Sequence, residues 1–363
     1  MEKKALTNIL FASMLSISLV GCGNSASSGS STASTESTKV VANKNTVTGI
    51  QLHLDNFQPK KKSYNFVFTY KLIHPWYDAI KSGADTAVAD YAKKGVKITF
   101  DWNAPATPDA IDQVNRIEGA VSKHPDVIGV DVTENKSVDP EINKVGKEGI
   151  PVITFSGDDA PSSDRILFVG NDKNKEDGAA LAEELAKKIK YEGEVAALAG
   201  TIGAPSHEQR MQGFKEVMAK YPKIKVVDLQ YDNDDLEKSI QLTENFLQKH
   251  PNLKGIFCDN MTNPIGAGQA VDAAGKKREI VIVGMDHDLR TLNYVKDGTI
   301  DATRIQDVFG MGYNLIDLAV KVADGERPGG SVIQQKIYDL PSVTVTKDNV
   351  QKYIDLLYGK KNN

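Results

Sequence analysis

Residues 65–100, NFVFTYKLIHPWYDAIKSGADTAVADYAKKGVKITF, decide the architecture of the chain. The opening NFVFTY is an apolar run typical of a strand, and Tyr77–Lys94 then carries apolar residues at helical spacing until Gly95. Val96–Phe100 has the length and composition of a second strand. A strand, a helix and a strand in this order predict two parallel strands connected by a helix that packs on the sheet.

The same alternation continues along the chain and restarts once. The first series adds strands at Val127–Val132 and Pro151–Phe155, with helices between them. A second series begins near Ser162. Its predicted strands are Ile166–Val169, Glu194–Ala199, Lys225–Gln230, Gly255–Cys258 and Ile280–Val283. We therefore expect an α/β fold with two Rossmann-like domains, each a parallel sheet covered by helices.

The restart also predicts how the chain divides between two lobes. The N-terminal lobe is expected to contain residues 63–161 and 306–337, and the C-terminal lobe residues 162–305 and 338–363. The chain would then cross between the lobes three times, near residues 162, 306 and 338. A hinge of three strands restricts the relative motion of the lobes to bending and twisting about one axis.

The first 21 residues predict a signal peptide. Two lysines precede an almost uncharged stretch, residues 5–20, which is about the length of a signal-peptide core. The stretch ends in Leu19-Val20-Gly21-Cys22, which resembles the lipobox of bacterial lipoproteins. That resemblance implies cleavage before Cys22 and lipidation of this cysteine by fatty acyl chains such as palmitate. An ordinary secretory signal peptide with an incidental cysteine is the alternative.

Residues 22–62 predict a tether between the lipid and the body. From Gly23 to Thr38, ten of sixteen residues are Ser or Thr, a composition that buries too little apolar surface to fold. Beyond Cys22 the sequence has no apolar run near the roughly 18 residues that a membrane span needs. We therefore expect a body held at the outer face of the cell membrane by its lipid chains.

Composition and motifs exclude several classes of function. The chain of 363 residues carries 44 Lys and Arg against 48 Asp and Glu, a net charge of −4, which argues against nucleic-acid binding. It lacks Gly-x-Ser-x-Gly, the phosphate-binding Gly-x-x-x-x-Gly-Lys-Ser/Thr and Cys-x-x-Cys. Asp286-His287-Asp288 suggests a metal site, but a hydrogen-bonded loop is the preferred interpretation. The sequence thus predicts a protein that is not an enzyme and has no cofactor or metal.

Polar and aromatic residues follow the predicted strands throughout the body. In open α/β sheets, ligands bind beyond the carboxyl ends of the strands. Two such domains facing each other across a hinge would enclose a polar ligand. The candidate ligand-binding residues at these positions are His74, Trp76, Tyr77, Trp102, Asp158, Arg210, Asn260, Asp286 and Gln306.

Six short segments around these candidates occur in a characteristic order. They are HPWY at 74–77, PVITFSGD at 151–158, EQRMQGF at 208–214, FCDN at 257–260, IVGMD at 282–286 and ATRIQ at 302–306. With them, the chain from about Asn65 to Lys352 resembles the type I periplasmic sugar-binding proteins, the ribose- and galactose-binding group that feeds ABC importers. The resemblance implies that the side chains named above contact a sugar. His74 and Ser156-Gly157 depart from the ribose-type pattern, so the resemblance does not imply a particular sugar.

The chemistry of the candidates suits a neutral polyol. The indole of Trp76 offers a flat face for the C–H face of a pyranose, and Tyr77 comes next, unless its ring belongs to the core. Asp158 and Asp286 can each accept hydrogen bonds from two hydroxyls, and the Arg210 guanidinium offers a planar fork of donors. Two carboxylates and one guanidinium leave no cationic surplus for an acidic ligand. Trp102 either edges the cleft or caps the sheet, and we expect it at the cleft.

Two functional classes follow from this interpretation. The first is an extracytoplasmic lipoprotein, a monomer, that captures a neutral monosaccharide or polyol and delivers it to the permease and ATPase of an ABC importer. The alternative is a receptor of the same fold that presents a sugar-like signal to a membrane histidine kinase or a chemoreceptor. The lipid anchor is compatible with both classes.

Overall fold

A computed structural model describes residues 46–359 of the chain. Its elements alternate strand and helix over most of that length. In chain order they are β1 (Ser63–Thr69), α1 (Pro75–Lys93), β2 (Lys97–Asn103), α2 (Ala110–Val121), β3 (Val127–Val130), α3 (Asn135–Lys147), β4 (Val152–Ser156), β5 (Leu167–Gly170), α4 (Asn174–Lys188), β6 (Gly193–Ala199), α5 (Pro205–Met218), β7 (Ile224–Tyr231), α6 (Leu236–Lys249), β8 (Leu253–Cys258), α7 (Asn263–Ala273), β9 (Val281–Met285), α8 (Leu289–Asp297), β10 (Ala302–Ile305), α9 (Val308–Ala323), β11 (Ile337–Asp339), β12 (Val343–Thr346) and α10 (Val350–Tyr358).

The strands form two six-stranded sheets, and each sheet is the centre of one lobe. The first sheet has the order β11-β5-β4-β3-β1-β2, and the second has the order β12-β10-β9-β8-β6-β7. Every pairing is parallel except that between β10 and β12. Helices cover both faces of each sheet. The predicted α/β architecture of two parallel-sheet domains is thus confirmed.

The stretch around β1 shows why the sequence folds this way. Phe66 and Phe68 alternate with Val67 along the strand, so the two phenylalanines pack under α1 and α9 while Val67 packs under α2 and α3. Helices α1 and α9 touch through two glycines. A Cβ at Gly83 would lie 2.0 Å from the Phe309 carbonyl oxygen, and one at Gly312 would lie 1.7 Å from that of Ile80. Both positions therefore require glycine for the close approach of the helix backbones.

The lobes divide the chain differently from the predicted boundaries at two places. The strand β5 pairs with β4, and β11 pairs with β5, so both belong to the first sheet. The predicted crossing near residue 162 is therefore wrong, because the chain crosses only after β5 ends at Gly170, and the crossing predicted near residue 338 comes just after β11 ends at Asp339. The error has a physical source: parallel neighbours are normally connected by a helix, and β4 and β5 are connected by a loop without one. Between β10 of the second sheet and α9, which packs with the core of the first, the chain passes from one lobe to the other.

Residues 46–62, assigned to the tether from the sequence, lie against the body, so that part of the prediction is wrong. Val47 is buried with the core of the second lobe, and Leu52 is buried with the core of the first. The Lys60 amide donates to the Asp324 carboxylate at 2.7 Å. A few isolated apolar residues attach this mostly polar segment to the body. The average composition of the segment does not reveal them, because polar residues dominate it.

The signal peptide, the Ser- and Thr-rich segment and Cys22 lie outside the described residues. Within residues 46–359, none of the helices combines the length and the apolar character that crossing a bilayer requires.

Candidate functional site

The carboxyl ends of both sheets face one cavity between the lobes. The space free of protein atoms there is about 390 Å³, including the part that is open to solvent. Eight of the nine candidate residues line this cavity: His74, Trp76, Tyr77, Asp158, Arg210, Asn260, Asp286 and Gln306. As the sequence predicts, Trp76 and Asp158 come from the first lobe, and Arg210 and Asp286 come from the second.

The start of α1 holds an indole at the cavity wall. The imidazole Nδ1 of His74 caps the helix by accepting the Trp76 amide at 3.2 Å, and Pro75 occupies the first turn. Since Nδ1 accepts, the neutral ring carries its proton on Nε2 and donates to Thr262 Oγ1 of the second lobe at 3.1 Å. The Trp76 indole N–H donates to Ser156 Oγ at 3.1 Å. These contacts fix the ring so that one face can receive an apolar ligand surface.

Asp158 joins an ion pair of its own lobe to a helix terminus of the other. Its Oδ2 accepts from the Lys71 ammonium at 3.0 Å, and its Oδ1 accepts from the Ser206 amide in the first turn of α5 at 2.7 Å. Burial alone would raise the pKa of Asp158, but the Lys71 charge, the nearby His207 and the hydrogen bonds from Ser206 together outweigh it and hold the pKa below its usual value. Asp158 is therefore an ionised contact between the lobes as well as a cavity residue.

Two of the three guanidinium nitrogens of Arg210 are hydrogen-bonded within the protein, and the third is not. Its Nη1 donates to the Asp259 carbonyl oxygen at 3.0 Å, and its Nη2 donates to Asn174 Oδ1 at 2.7 Å. Its Nε, although buried, has no hydrogen-bond partner. An unpaired donor in a buried site carries a large desolvation cost, so a ligand oxygen that accepts from Nε would be strongly favoured.

Asp286 follows β9 and lies opposite the indole side of the cavity. Its backbone is in the left-handed region with φ +78°, which is uncommon for a residue other than glycine and indicates strain at this point. The Gln306 amide donates to Asp286 Oδ1 at 2.9 Å. Burial raises the pKa of Asp286 to about 7, against the opposing pull of Arg210.

Asn260 lines the cavity, but its side-chain amide is hydrogen-bonded to other groups of the protein. Its Oδ1 accepts the backbone amides of Thr262 at 2.9 Å and Asn263 at 2.7 Å at the start of α7. Its Nδ2 donates to the Asp234 carboxylate. Asn260 therefore shapes the loop and positions Asp234 at the cavity.

Three charged or titratable side chains line the cavity without having been singled out from the sequence: Lys71, His207 and Asp234. Lys71 stands in the loop after β1, and His207 lies one turn before Arg210 on α5. Asp234 belongs to an acidic run, residues 232–235, between β7 and α6. Asp235 does cap α6 by accepting the Lys238 amide at 2.9 Å, whereas Asp234 turns to the cavity. Position after a strand is the signal that could have identified Lys71.

Trp102 is the one candidate that does not line the cavity, so its expected place at the cleft is wrong. Its ring lies 4.9 Å from that of Tyr70 and 5.7 Å from that of Phe155, on the covered face of the first sheet. Trp102 pairs in register with Phe68 on β1 and therefore shares its core-facing side.

The sequence leaves open whether the Tyr77 ring faces the ligand or belongs to the core, and in the structure the ring lies at the border of both. It lines the cavity, yet its ring stacks 4.3 Å from Tyr70 and its hydroxyl donates to the buried Asp131 carboxylate. The hydroxyl is thus engaged, and a ligand would meet the ring.

In the segment Asp286-His287-Asp288, Asp286 lines the cavity, and the other two residues form contacts that hold the loop. Asp288 caps α8 by accepting the Arg290 amide at 2.8 Å, and the His287 carbonyl accepts from the Tyr358 hydroxyl at 2.7 Å. No cluster of metal-ligating side chains occurs within residues 46–359.

A polar cavity closed between two parallel-sheet lobes that are connected three times defines a two-lobed ligand-binding protein. Comparison with known proteins agrees: a family model described as "Periplasmic binding protein domain" matches residues 66–327. The chain therefore belongs to the periplasmic binding protein family, and its fold is that of the type I members.

Individual relatives cover most of the body. The chain is 30% identical over 226 residues to a D-ribose/D-allose-binding protein of Pseudomonas aeruginosa, covering 61% of this chain and 70% of that protein. It is 25% identical over 256 residues to the ribose import binding protein RbsB of Bacillus subtilis, covering 70% and 80%. A solved ABC transporter solute-binding protein from Burkholderia graminis, in complex with D-arabinose, superposes with a TM-score of 0.74 at 32% identity, covering 81% of this chain and 99% of that one.

Proposed function

We propose that this protein captures a neutral monosaccharide or a related polyol between its lobes and delivers it to an ABC importer. The observation that carries the proposal is that the Arg210 guanidinium, whose buried Nε has no hydrogen-bond partner, lines the same cavity as Asp158 and Asp286. Vicinal hydroxyls can donate to a carboxylate and accept from a guanidinium at the same time. The relatives named above are sugar-binding proteins, which supports the same class of ligand.

The remaining features of the cavity agree with a neutral ligand. Lys71 is already paired with Asp158, so it adds no free positive charge for an acidic group. The indole of Trp76 supplies the flat apolar surface that the C–H face of a sugar ring requires. Ligand contacts with both lobes would favour the closed form by the difference in affinity between the two states.

A panel of pentoses, hexoses and polyols tests this function by thermal shift. A ligand at 100 times its Kd adds about 2.7 kcal/mol to the free energy of unfolding, which raises the melting temperature measurably. D-ribose, D-allose and D-arabinose belong in the panel, together with glucose 6-phosphate as an acidic counterpart. Stabilisation by the phosphorylated sugar alone would contradict the assignment of a neutral ligand.

The two tryptophans provide a matched pair for the same test. The chain has only Trp76 and Trp102. A sugar against Trp76 should change the intrinsic fluorescence of the wild type and of Trp102→Phe, but not that of Trp76→Phe. An equal response in Trp76→Phe would exclude the indole from the site.

For localisation, we propose that the body acts outside the cytoplasm as a lipid-anchored monomer. The Leu-Val-Gly-Cys sequence at 19–22 and the Ser- and Thr-rich segment after it support the anchor. Cells labelled with a palmitate analogue should incorporate it into the wild type and not into Cys22→Ser, which should leave the membrane or remain as a precursor. Normal processing and membrane association of Cys22→Ser would contradict the anchor.

A further inference from the structure

A second buried polar cluster lies where the chain passes between the lobes. Its centre is Asp177, a fully buried residue of α4. Its carboxylate accepts from Asn171 Nδ2 at 2.7 Å, from Arg304 Nε at 2.8 Å and from Ser342 Oγ at 2.5 Å. None of these four residues lines the cavity between the lobes.

Two partners of Asp177 lie in connections between the sheets, and the third stands near the end of the strand that leads into the remaining connection. Asn171 lies in the connection that leads from β5 to α4. Arg304 is in β10, immediately before the chain returns to α9, and Ser342 lies between β11 and β12. The Arg304 guanidinium also donates to Ser342 Oγ at 2.7 Å and to Thr344 Oγ1 at 2.8 Å. One carboxylate therefore ties two of the connections to the strand that leads into the third.

A short chain of hydrogen bonds leads from this cluster to the cavity. The Asn171 amide that contacts Asp177 also donates to Gln306 Oε1 at 3.0 Å. The Nε2 of the same Gln306 amide donates to Asp286 Oδ1 at 2.9 Å. All four residues are buried, so the bonds are shielded from water and from salt. The position of Asp286 is thus mechanically linked to that of Asp177.

We infer that Asp177 is a positioning residue that sets the angle between the lobes. It fixes the register of the three connections, and through Asn171 and Gln306 it holds Asp286 at its place in the cavity. A bend at the hinge displaces the connections relative to one another, so the number of lobe angles compatible with all three bonds is small. The part of the inference that concerns ligand affinity rests on the proposed function, and the part that concerns the lobe angle does not.

Two variants of the cluster and one matched control separate positioning from stability. Asp177→Asn removes the charge that pairs with Arg304, and Ser342→Ala removes the contact of one connection only. The control is Asp317→Asn. Asp317 is another buried carboxylate, which accepts from the Tyr91 hydroxyl at 2.7 Å and from Lys321 at 2.6 Å, all within the first lobe.

The lobe angle can be measured without any ligand. Spin labels at Ile73→Cys and Ile202→Cys report the distance between the lobes, because both residues are exposed, at 67% and 63%, in loops beside the cavity. The measurement uses the full chain in detergent with Cys22→Ser, since the remaining Cys258 is fully buried. Asp177→Asn is expected to roughly double the width of the distance distribution, and Ser342→Ala to broaden it less. Asp317→Asn is expected to retain the wild-type width.

The outcomes decide the inference. Wild-type distance distributions in both Asp177→Asn and Ser342→Ala would overturn it, as would equal broadening in Asp317→Asn. If Asp177→Asn does not fold, Ser342→Ala against Asp317→Asn decides alone. Titration with whichever sugar of the panel binds is then expected to show affinity roughly 3- to 10-fold weaker in Ser342→Ala. If no sugar binds the wild type, the proposed function fails while the distance measurement still tests the positioning role.

Discussion

The two lobes contribute different chemistry to the same cavity. The first lobe presents an indole, a tyrosine ring and the Lys71–Asp158 ion pair, whose charges satisfy each other at 3.0 Å. The second lobe presents the unpaired Nε of Arg210 and the strained, buried Asp286. The first lobe thus offers surfaces whose polar groups are paired, while the second carries a buried donor, Arg210 Nε, that has no hydrogen-bond partner. We expect the second lobe to supply most of the ligand's polar binding energy and the first to supply shape and closure.

Removal of the Arg210 guanidinium should give the largest loss of affinity. Charge-assisted hydrogen bonds contribute about 1.5–3 kcal/mol, so Arg210→Ala should weaken sugar binding roughly 10- to 100-fold. Isothermal titration calorimetry of the folded variant measures this loss. Arg165→Ala serves as the control, because Arg165 pairs with Asp159 within the first lobe. Wild-type affinity in Arg210→Ala would remove the guanidinium from the site.

The two cavity carboxylates should respond differently to the same substitution. Asp158→Asn leaves the buried Lys71 without its counter-charge, so it should lower the free energy of unfolding by about 3 kcal/mol or more. Asp286→Asn should change stability less and weaken sugar binding about 10-fold. Chemical denaturation and calorimetry on both variants make the comparison. A large stability loss in Asp286→Asn and a large affinity loss in Asp158→Asn would show instead that the first lobe supplies the polar recognition of the ligand.

The same two residues predict opposite pH dependences of stability in the free protein. Burial raises the pKa of Asp286 to about 7, from 3.8 in the unfolded chain, so the folded state keeps a proton that the unfolded state loses. Its contribution therefore favours folding at acidic pH and declines as pH rises from about 4 to about 7. The lowered pKa of Asp158 has the other sign, and its contribution is lost only as pH falls below its unfolded value.

Melting temperatures of the free protein from about pH 4 to about pH 7 check this sign, because these limits bracket the unfolded and folded pKa values of Asp286. Asp286→Asn should show a smaller decline over this interval than the wild type. An identical decline in the variant would mean that other buried carboxyl groups, such as Asp232 with a pKa raised by burial to about 8, account for it.

The smallest effect is expected from the hydroxyl of Tyr77. It already donates to the buried Asp131 carboxylate, so Tyr77→Phe should change sugar affinity less than about 3-fold. Tyr77→Ala removes the ring and should weaken binding further, which makes it the matched comparison in the same calorimetric assay. A large loss in Tyr77→Phe would show that the first lobe also contributes polar recognition.

Much of the site could be predicted from local patterns in the sequence. Hydrophobic periodicity depends on neighbouring residues only, and the carboxyl ends of parallel strands meet at one edge of a sheet. For these reasons, eight of the nine candidate residues line the cavity. The pattern could not separate Asp234 from the helix cap beside it, because both residues follow the same strand and differ in backbone conformation, left-handed at Asp234 and extended at Asp235.

The sequence by itself determined the alternation of strands and helices, the two parallel sheets and the edge at which polar side chains gather. Only the tertiary structure decided which sheet β5 and β11 join, because strand pairing depends on contacts between residues far apart in the chain. The same reason applies to Trp102, whose side of the sheet follows from its register with Phe68. It applies also to residues 46–62, whose few apolar side chains dock only because the assembled lobes offer them a core.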